Sequence, residues 1–260
     1  MHIRQPLDVR SSGKTEDREP KRPVSHTDPT GRALRIGYPE GVSNIAPDAR
    51  YLIRVSNEEL HMGGIELRNG TLVVDREPNL LDELAIGFSR ILDRVGIEHV
   101  YVAGYVSILA GRARSTQDVD VIIEEIDEAT ANELGAALAD VGFWGALPLD
   151  SMYEMLENGD TVWIAPEDQV TPHLDVTFAR DQFDRASLNN AISARIGNVT
   201  IPIGPLELQI AYKLYLGAEK DLEDAVHLHT IFEESLRVER LETWVTRLDV
   251  DAEYERLKRS

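Results

Sequence analysis

A pair of aspartates inside a hydrophobic run constrains this chain more than any other feature. Residues 118–124 read DVDVIIE, so Asp118 and Asp120 alternate with apolar residues as in a β-strand. Alternate residues of a strand point to one side, which puts both carboxylates at one site with Cα atoms about 6.6 Å apart. Two unpaired carboxylates beside a buried run cost free energy unless a cation or hydrogen-bond donors compensate them. The pair therefore predicts a divalent-cation site, and Mg²⁺ is favoured because it prefers carboxylate and phosphate oxygens.

The residues before this pair predict a short turn between two strands. A strand over 99–103, a glycine at 104, a short helix over 106–111 and a loop over 112–117 lead into the strand at 118–124. The glycine allows the backbone to approach a phosphate closely, and the helix after it offers free N–H groups at its N-terminus. Taken alone, the glycine is also consistent with an ordinary strand-to-helix turn. The Asp-x-Asp pair, taken alone, is also consistent with two exposed aspartates at the start of a strand.

A strand ending in glycine, a short helix and a hydrophobic-flanked Asp-x-Asp together resemble the signature of the nucleotidyltransferase superfamily, which has the DNA polymerase β-like fold. That family places a third carboxylate on a later strand, and here HLDVTF supplies Asp175. The segment AYKLYLGAEKDLEDAVHL is similar to the helical part of AbiEii-type toxins and related minimal nucleotidyltransferases, in which a Lys-Leu and a Lys-Asp-x-x-Asp recur. These positions hold Lys213, Lys220 and Asp224, and the resemblance covers residues 80–232.

The resemblance implies a metal-dependent transfer reaction and gives each carboxylate a role. Asp118 and Asp120 would bridge two Mg²⁺ or Mn²⁺ ions, while Asp175 would complete the ion on the nucleophile side and accept a proton. The implied substrate is a nucleoside triphosphate (NTP). The residues expected to contact it are Gly104, Tyr105, Ser107, Arg114, Thr116, Lys213 and Lys220.

Tyr105 departs from the family pattern, which usually has Gly-Ser or Gly-Gly at this point. The small or hydroxyl residue that is replaced normally helps to hold the triphosphate, and Ser107 is the candidate that substitutes for it in part. The departure leaves one alternative open, namely a non-catalytic nucleotide-binding protein that kept the fold.

Several candidate residues also have a structural interpretation. Lys213 lies in a segment rich in Leu, Ile, Ala and Tyr, where its stem can pack while its amine reaches water. Arg114 can pair with surface acids, Asp221 can cap a helix, and Asp224 can bond to a nearby lysine or arginine. The histidines, including His173, have no partner at ligand spacing and are expected to be structural.

The alternation of predicted strands and helices indicates an α/β (α+β) fold with a sheet of mixed direction. We expect a disordered tail over residues 1–33, a small N-terminal β element over 34–76, and a nucleotidyltransferase core over 77–203. A C-terminal helical lobe follows over 204–260, and the nucleotide is expected in the cleft between sheet and lobe. Within the N-terminal element, Asn-Gly between apolar runs is a strong hairpin signal.

Composition limits the possible partners. The chain has 260 residues, a formal net charge of −19 and no cysteine, which excludes disulfides, zinc thiolates and a cysteine nucleophile. Lysine is scarce and arginine supplies most of the positive charge, a pattern typical of salt-loving organisms. Low salt opposes nucleic-acid binding by such a chain, but molar salt screens the repulsion within about 3 Å, so an RNA acceptor is not excluded. With no apolar run of membrane-spanning length and no apolar signal core, a cytoplasmic protein without a membrane partner is expected.

The combined prediction is a nucleotidyltransferase that moves a nucleoside monophosphate from an NTP to a hydroxyl acceptor. Members of the family act on RNA ends such as those of tRNA, on partner proteins or on small molecules, and the sequence does not choose among these. Resemblance to the toxin branch implies a toxin–antitoxin role. A glycosyltransferase is a further alternative, because those enzymes also use Asp-x-Asp for a metal, although they usually have a longer α/β domain before the motif.

Overall fold

The computed structural model describes residues 64–259, which form a mixed β-sheet with helices packed on it. The strands are β1 (Ile65–Arg68), β2 (Thr71–Val74), β3 (His99–Tyr101), β4 (Asp118–Ile123), β5 (Phe143–Gly145), β6 (Val162–Pro166), β7 (His173–Phe178), β8 (Ile192–Ile196) and β9 (Val199–Ile203). The helices are α1 (Leu80–Val95), α2 (Ala103–Leu109), α3 (Glu128–Asp140), α4 (Met152–Asn158), α5 (Gln182–Asn189), α6 (Leu206–Leu216), α7 (Glu219–Phe232), α8 (Val238–Arg247) and α9 (Asp251–Leu257). The predicted tail, and the part of the N-terminal element before residue 64, lie outside the described residues.

The sheet has mixed direction, as the sequence predicted. Its strand order is β1-β2-β8-β9-β3-β4-β7-β6-β5. The pairs β2/β8, β9/β3 and β4/β7 are parallel, and the other neighbours are antiparallel. The predicted α/β fold with a mixed sheet is confirmed, and the strand that carries the acidic pair lies in the interior of the sheet.

The two strands that carry the predicted carboxylates each have one apolar face. In β4 the valines at 119 and 121 are buried, whereas Asp118 and Asp120 are only partly buried on the other face. The alternation repeats in β7, where Asp175 lies on the same face as Asp120 because the two residues are partners in the parallel ladder. A shift of one residue would turn the carboxylates into the apolar layer, so the hydrophobic pattern determines which face carries them.

The predicted hairpin is present at the N-terminal end of the described range. Asn69 and Gly70 form its turn with φ angles of 50° and 76°, the positive values that an Asn-Gly turn between strands requires. Strand β2 then pairs in parallel with β8. The hairpin therefore continues the main sheet.

Helices cover both faces of the sheet. Helices α1, α3 and α4 pack on the apolar face, and α5 packs against β3 and β4 on the face that carries the aspartates. Helices α6 to α9 pack on one another at the C-terminal end. Side chains of Asn79, Asp127 and Asp181 accept backbone hydrogen bonds that begin α1, α3 and α5, which sets where these helices start. None of the helices in residues 64–259 combines the length and apolar character that a membrane span needs.

The turn before β4 differs from the prediction in one respect. Helix α2 begins at Ala103 rather than at 106, and Ala103 has a positive φ of 56°. A non-glycine residue costs about 1–2 kcal/mol in this conformation. Neighbouring contacts must therefore hold the turn, and one of them is the hydrogen bond from the Ala103 amide to Gln209 Oε1 at 2.9 Å.

Candidate active site

Three carboxylates from two adjacent strands meet on one face of the sheet. Asp120 of β4 lies opposite Asp175 of β7 in the ladder, and Asp118 precedes Asp120 by two residues on the same side of the strand. One carboxylate oxygen of each residue lies within 4.8 Å of the other two. Oxygen ligands lie about 2.1 Å from Mg²⁺, so oxygens at this spacing are within reach of a shared divalent ion. The structure thus brings together the three residues that the sequence proposed as metal ligands.

Burial and mutual repulsion give the three carboxylates different proton affinities. Burial raises the pKa of Asp120 to about 7, and the charges of Asp118 and Asp175 act in the same direction. Burial also raises the pKa of Asp175, an effect that His173 opposes and Asp118 reinforces. Burial acts in the same direction on Asp118, but the hydrogen bond from Thr116 and other local interactions outweigh it and lower the pKa of Asp118. The cluster therefore concentrates negative charge that a divalent cation would neutralise.

Two of the predicted nucleotide-binding residues approach these carboxylates. The hydroxyl of Thr116 donates a hydrogen bond to the Asp118 carboxylate. Lys220 is exposed in the first turn of α7, and its charge lowers the pKa of both Asp118 and Asp120. Thr116 therefore orients one candidate ligand, while Lys220 adds a mobile positive charge near the cluster.

Gly104 and Arg114 are in contact at the start of α2. A β-carbon at position 104 would overlap Arg114 Nη2. Glycine is therefore required here because a guanidinium passes over its Cα, rather than for an unusual backbone angle. Arg114 Nη2 also lies 3.3 Å from Asp224 Oδ2. Among the described residues Arg114 Nε has no hydrogen-bond partner, so the guanidinium keeps a donor next to the turn.

Asp224 of α7 organises basic side chains from separate parts of the chain. Its carboxylate lies 2.8 Å from Lys213 Nζ, 3.4 Å from Arg112 Nε and 3.3 Å from Arg114 Nη2. Asp224 is 0% exposed and Lys213 is 2% exposed, so this pair is removed from water. We call Arg112, Arg114, Lys213 and Asp224 the Asp224 network. It places the loop before β4 next to helices α6 and α7.

The environment of Lys213 differs from the interpretation in which its amine reaches water. Its amine does not reach water, because it is buried between Asp224 and Asp221, with Asp221 Oδ1 at 3.5 Å. Asp221 is not a helix cap, since α7 begins at Glu219 after the cap residue Ala218. Lys213 also lines the cavity that contains Asp120, and contact of its amine with a nucleotide stays a prediction.

Tyr105 and Ser107 do not contribute exposed side chains to the site. Tyr105 is 0% exposed, and its hydroxyl donates a hydrogen bond of 2.8 Å to Asp82 Oδ1 in α1. Ser107 is also 0% exposed, and within residues 64–259 its hydroxyl has no hydrogen-bond partner. Contact of this turn with a nucleotide would therefore come through the backbone, and nucleotide binding by these two residues stays a prediction.

Tyr105→Phe is expected to lower the free energy of unfolding by about 1–2 kcal/mol, because buried Asp82 loses one of its hydrogen-bond donors. The affinity of the variant for an NTP is expected to stay within about twofold of wild type, since the hydroxyl bonds to α1. Urea unfolding and NTP titration measure the two effects. A large loss of NTP affinity at unchanged stability would instead identify the Tyr105 hydroxyl as a nucleotide contact.

A cavity of about 360 Å³ opens beside Asp120 and Asp175. Helices α5 and α6 form the opposite wall and contribute Phe183 and Tyr212, whose rings lie 6.1 Å apart between centroids. Lys213 lines the same cavity. Its volume lies within the range of about 300–1,000 Å³ that is usual for small-molecule sites. The cavity lies between the sheet and α6, where the sequence placed the nucleotide.

The sequence analysis did not assign two polar residues to the site that the structure places at or near it. His173 was expected to be structural, but its Nε2 lies 3.7 Å from Asp175 Oδ1 and its ring packs on Trp163. The strand alternation could have placed His173 beside Asp175, because residues two apart share a face. Gln209 holds the Ala103 turn from 106 residues away, and no local pattern signals such a contact.

Comparisons with known proteins found similarity in structure only. No protein-family model and no curated protein sequence matches the chain. Among solved structures, the chain is similar to an antigenic nucleotidyltransferase-like protein from Paracoccidioides brasiliensis, with 18% identity, a TM-score of 0.44 and coverage of 67% of this chain and 90% of that one. It is also similar to ANT(2'')-Ia in complex with adenylyl-2''-tobramycin, with 17% identity, a TM-score of 0.43 and coverage of 62% and 92%.

A third similarity is to the Thermotoga maritima CCA-adding enzyme complexed with a tRNA, with 14% identity and a TM-score of 0.33, covering 68% of this chain and 53% of that one. These likenesses are likenesses of fold, and the first of the three structures is described as nucleotidyltransferase-like. Membership of the nucleotidyltransferase superfamily, and of its narrower AbiEii-type branch, stays a prediction from the sequence.

Proposed function

We propose that this chain is a metal-dependent nucleotidyltransferase that moves a nucleoside monophosphate from an NTP to a hydroxyl acceptor. One observation carries the proposal: Asp118, Asp120 and Asp175 converge to within 4.8 Å beside a cavity that Lys213 also lines. Carboxylates at this spacing suit a divalent cation, and a basic side chain across the cavity suits a polyphosphate. Transfer of a nucleotidyl group needs both.

The donor set fits Mg²⁺ or Mn²⁺, since all three candidate ligands are carboxylates. When bound, such an ion neutralises phosphate charge and lowers the pKa of an attacking hydroxyl. The remaining work falls to the chain itself. Lys213, Arg114 and the exposed Lys220 would bind and orient the triphosphate, while the cavity wall at Phe183 and Tyr212 excludes water from the nucleoside.

The reaction balances with the groups already described. A bond forms between the acceptor oxygen and the α-phosphorus, and the bond from that phosphorus to the oxygen bridging to the β-phosphate breaks. Pyrophosphate leaves with the electron pair. Asp175, whose pKa burial raises, is the group placed to take the proton of the acceptor hydroxyl.

The alternatives that the sequence left open are separated by experiment. The non-catalytic alternative was based on Tyr105, and it stays open because neither Tyr105 nor Ser107 presents an exposed hydroxyl at the turn. For a glycosyltransferase, no observation in residues 64–259 adds to the Asp-x-Asp motif. The toxin–antitoxin role rests on the branch resemblance alone and would be tested by expressing the chain with and without a neighbouring gene product.

A label-transfer assay tests the proposal. Each α-labelled NTP is incubated with Mg²⁺ or Mn²⁺, at low and high KCl, with total RNA, cell protein or a mixture of small hydroxyl compounds as acceptor. Asp118→Ala/Asp120→Ala is the inactive control, and a labelled sugar nucleotide runs in parallel. We expect label on one acceptor class with wild type only.

The outcomes separate the candidate functions. Transfer from the sugar nucleotide alone would assign a glycosyltransferase. Metal-dependent NTP binding without transfer to any acceptor would assign the non-catalytic alternative. Equal transfer by wild type and by the double variant would show that the carboxylates are not the catalytic centre.

A further inference from the structure

A second depression lies on the other side of α5 from the cavity. It measures about 620 Å³ and lies between α5 and α8. We call it the arginine groove, and its lining includes Arg185, Asn189, Asn190, Arg240, Trp244 and Arg247. The whole chain has 46 acidic and 27 basic side chains, yet in the described part of the chain no Asp or Glu lines this groove. The groove is therefore a basic patch on an acidic protein.

The positive charges of the arginine groove are not neutralised by ion pairs. Arg185 donates to the Arg180 carbonyl at 2.9 Å, and Arg240 donates to Asn190 Oδ1 at 2.7 Å. The guanidinium of Arg247 lies 4.9 Å from the centre of the Trp244 ring. All these partners are neutral, and none of the three arginines pairs with a carboxylate within residues 64–259. Unneutralised arginines in a groove are suited to bind phosphates with their forked donors.

Helix α5 connects the arginine groove to the candidate active site. Phe183 and Ser187 face the cavity that contains Asp120, whereas Arg185 and Asn189 face the groove. The Phe183 ring also contacts Trp244, with centroids 6.2 Å apart. A helix with its side chains is about 10–12 Å wide, so α5 alone separates the groove from the cavity beside the carboxylates.

We propose that the arginine groove binds the acceptor of the reaction and that this acceptor is a single-stranded polynucleotide whose terminal hydroxyl reaches the carboxylates. This inference rests on the proposed function. Arginines would hold successive phosphates, and bases would stack on Trp244 or on the guanidinium of Arg247. A single strand fits better than a duplex, because only unpaired bases expose their faces for stacking. No Asp or Glu within residues 64–259 lines the groove, although Arg185 interacts with the nearby Asp184 carboxylate, and this lining allows the contact despite the net charge of −19.

Binding of a labelled 12-nucleotide single-stranded RNA, followed by fluorescence anisotropy without NTP or divalent metal, tests the groove. Arg240→Gln/Arg247→Gln is expected to weaken binding about tenfold or more, and to reduce the slope of log K against log salt by about 1.4, as for two lost phosphate contacts. The matched control is Arg90→Gln/Arg94→Gln, which removes the same charge from exposed positions of α1 on the other face of the sheet. The control is expected to stay within about twofold of wild type.

Additional ligands and competitors identify what the groove binds. Single-stranded DNA of the same sequence distinguishes RNA from DNA, and polyglutamate competes if the groove serves an acidic protein. Thermal melting verifies that each variant is folded. Three results would overturn the proposal. The two double variants could weaken RNA binding equally, wild type could fail to bind RNA, or polyglutamate could compete as strongly as RNA.

The same variants separate this proposal from the proposed function. RNA that binds through the groove but receives no label would leave the groove assignment intact and count against nucleotidyl transfer. Label transfer to RNA with an unchanged KM in Arg240→Gln/Arg247→Gln would support the reaction and overturn the groove as the acceptor site.

Discussion

Asp120→Asn is expected to abolish nucleotidyl transfer and, at pH 8, to make the metal-free protein more stable. Loss of one of three clustered ligands should slow transfer about 1,000-fold or more. The stability gain has a separate cause. Burial and two neighbouring carboxylates raise the pKa of Asp120 from 3.8 to about 7. Above neutral pH the charged carboxylate therefore destabilises the folded state, and the neutral asparagine does not. At about 1.4 kcal/mol per pKa unit the gain is about 2–4 kcal/mol.

The pH dependence of this gain follows from the direction of the pKa shift. Between about pH 4 and pH 7 the unfolded chain has released a proton that folded Asp120 still holds, so wild type loses stability as the pH rises. Asp120→Asn and wild type should therefore be about equally stable at pH 4, and the difference between their free energies of unfolding should reach its full size above pH 7. Urea unfolding in EDTA at pH 4, 6 and 8 measures this, with the exposed Asp160→Asn as control.

Mg²⁺ should narrow the difference in unfolding free energy at pH 8. The ion binds the folded wild type and stabilises it in proportion to the logarithm of its concentration above Kd, whereas Asp120→Asn has lost a ligand. If Asp120→Asn were instead the less stable protein in EDTA at pH 8, the three carboxylates would not be clustered as described.

Asp224→Ala is expected to lower the free energy of unfolding by about 3–5 kcal/mol, because it leaves the buried Lys213 amine without its nearest counter-charge. Lys213 is 2% exposed, and its other carboxylate partner, Asp221, is farther away at 3.5 Å. Arg112 and Arg114 lose the same partner, so we also expect a higher KM for NTP. Thermal and urea unfolding measure the first effect, and label transfer the second.

Two matched variants make this prediction specific. Glu223→Gln removes the other acid that pairs with Arg112 but lies at an exposed position, and should cost less than about 1 kcal/mol. Lys213→Met added to Asp224→Ala removes the buried amine that has lost its nearest counter-charge, and should recover part of the lost stability. A double variant as unstable as the sum of its parts would show that the two residues are not coupled.

The sequence predicted those features of the fold that local patterns encode. The alternation in DVDVII and HLDVTF placed β4 and β7 with their carboxylates on one face, and the register then brought Asp120 and Asp175 together. The Asn69-Gly70 turn was equally local. Each of these depends on neighbours within a few residues, which a sequence pattern can record.

The features that the sequence did not predict depend on contacts between distant residues. The pairing of Asp224 with Arg112 joins residues 112 positions apart, and the bond from Ala103 to Gln209 spans 106 positions. Gly104 was expected to let the backbone approach a phosphate, whereas in the structure the Arg114 guanidinium occupies the space beside it. Tyr105 was judged against a family pattern, but its partner is Asp82 on α1. Only the assembled fold shows these partners.

The Asp224 network has a consequence for how substrates enter. It joins the loop before β4 to helices α6 and α7 through a buried ion pair, and separating them would break contacts worth about 3–5 kcal/mol. A hinge between the sheet and these helices would open rarely against such a cost. Under the proposed function, the phosphate side of the site would therefore be preorganised before the NTP arrives, and little of the binding energy would be used to close a lid.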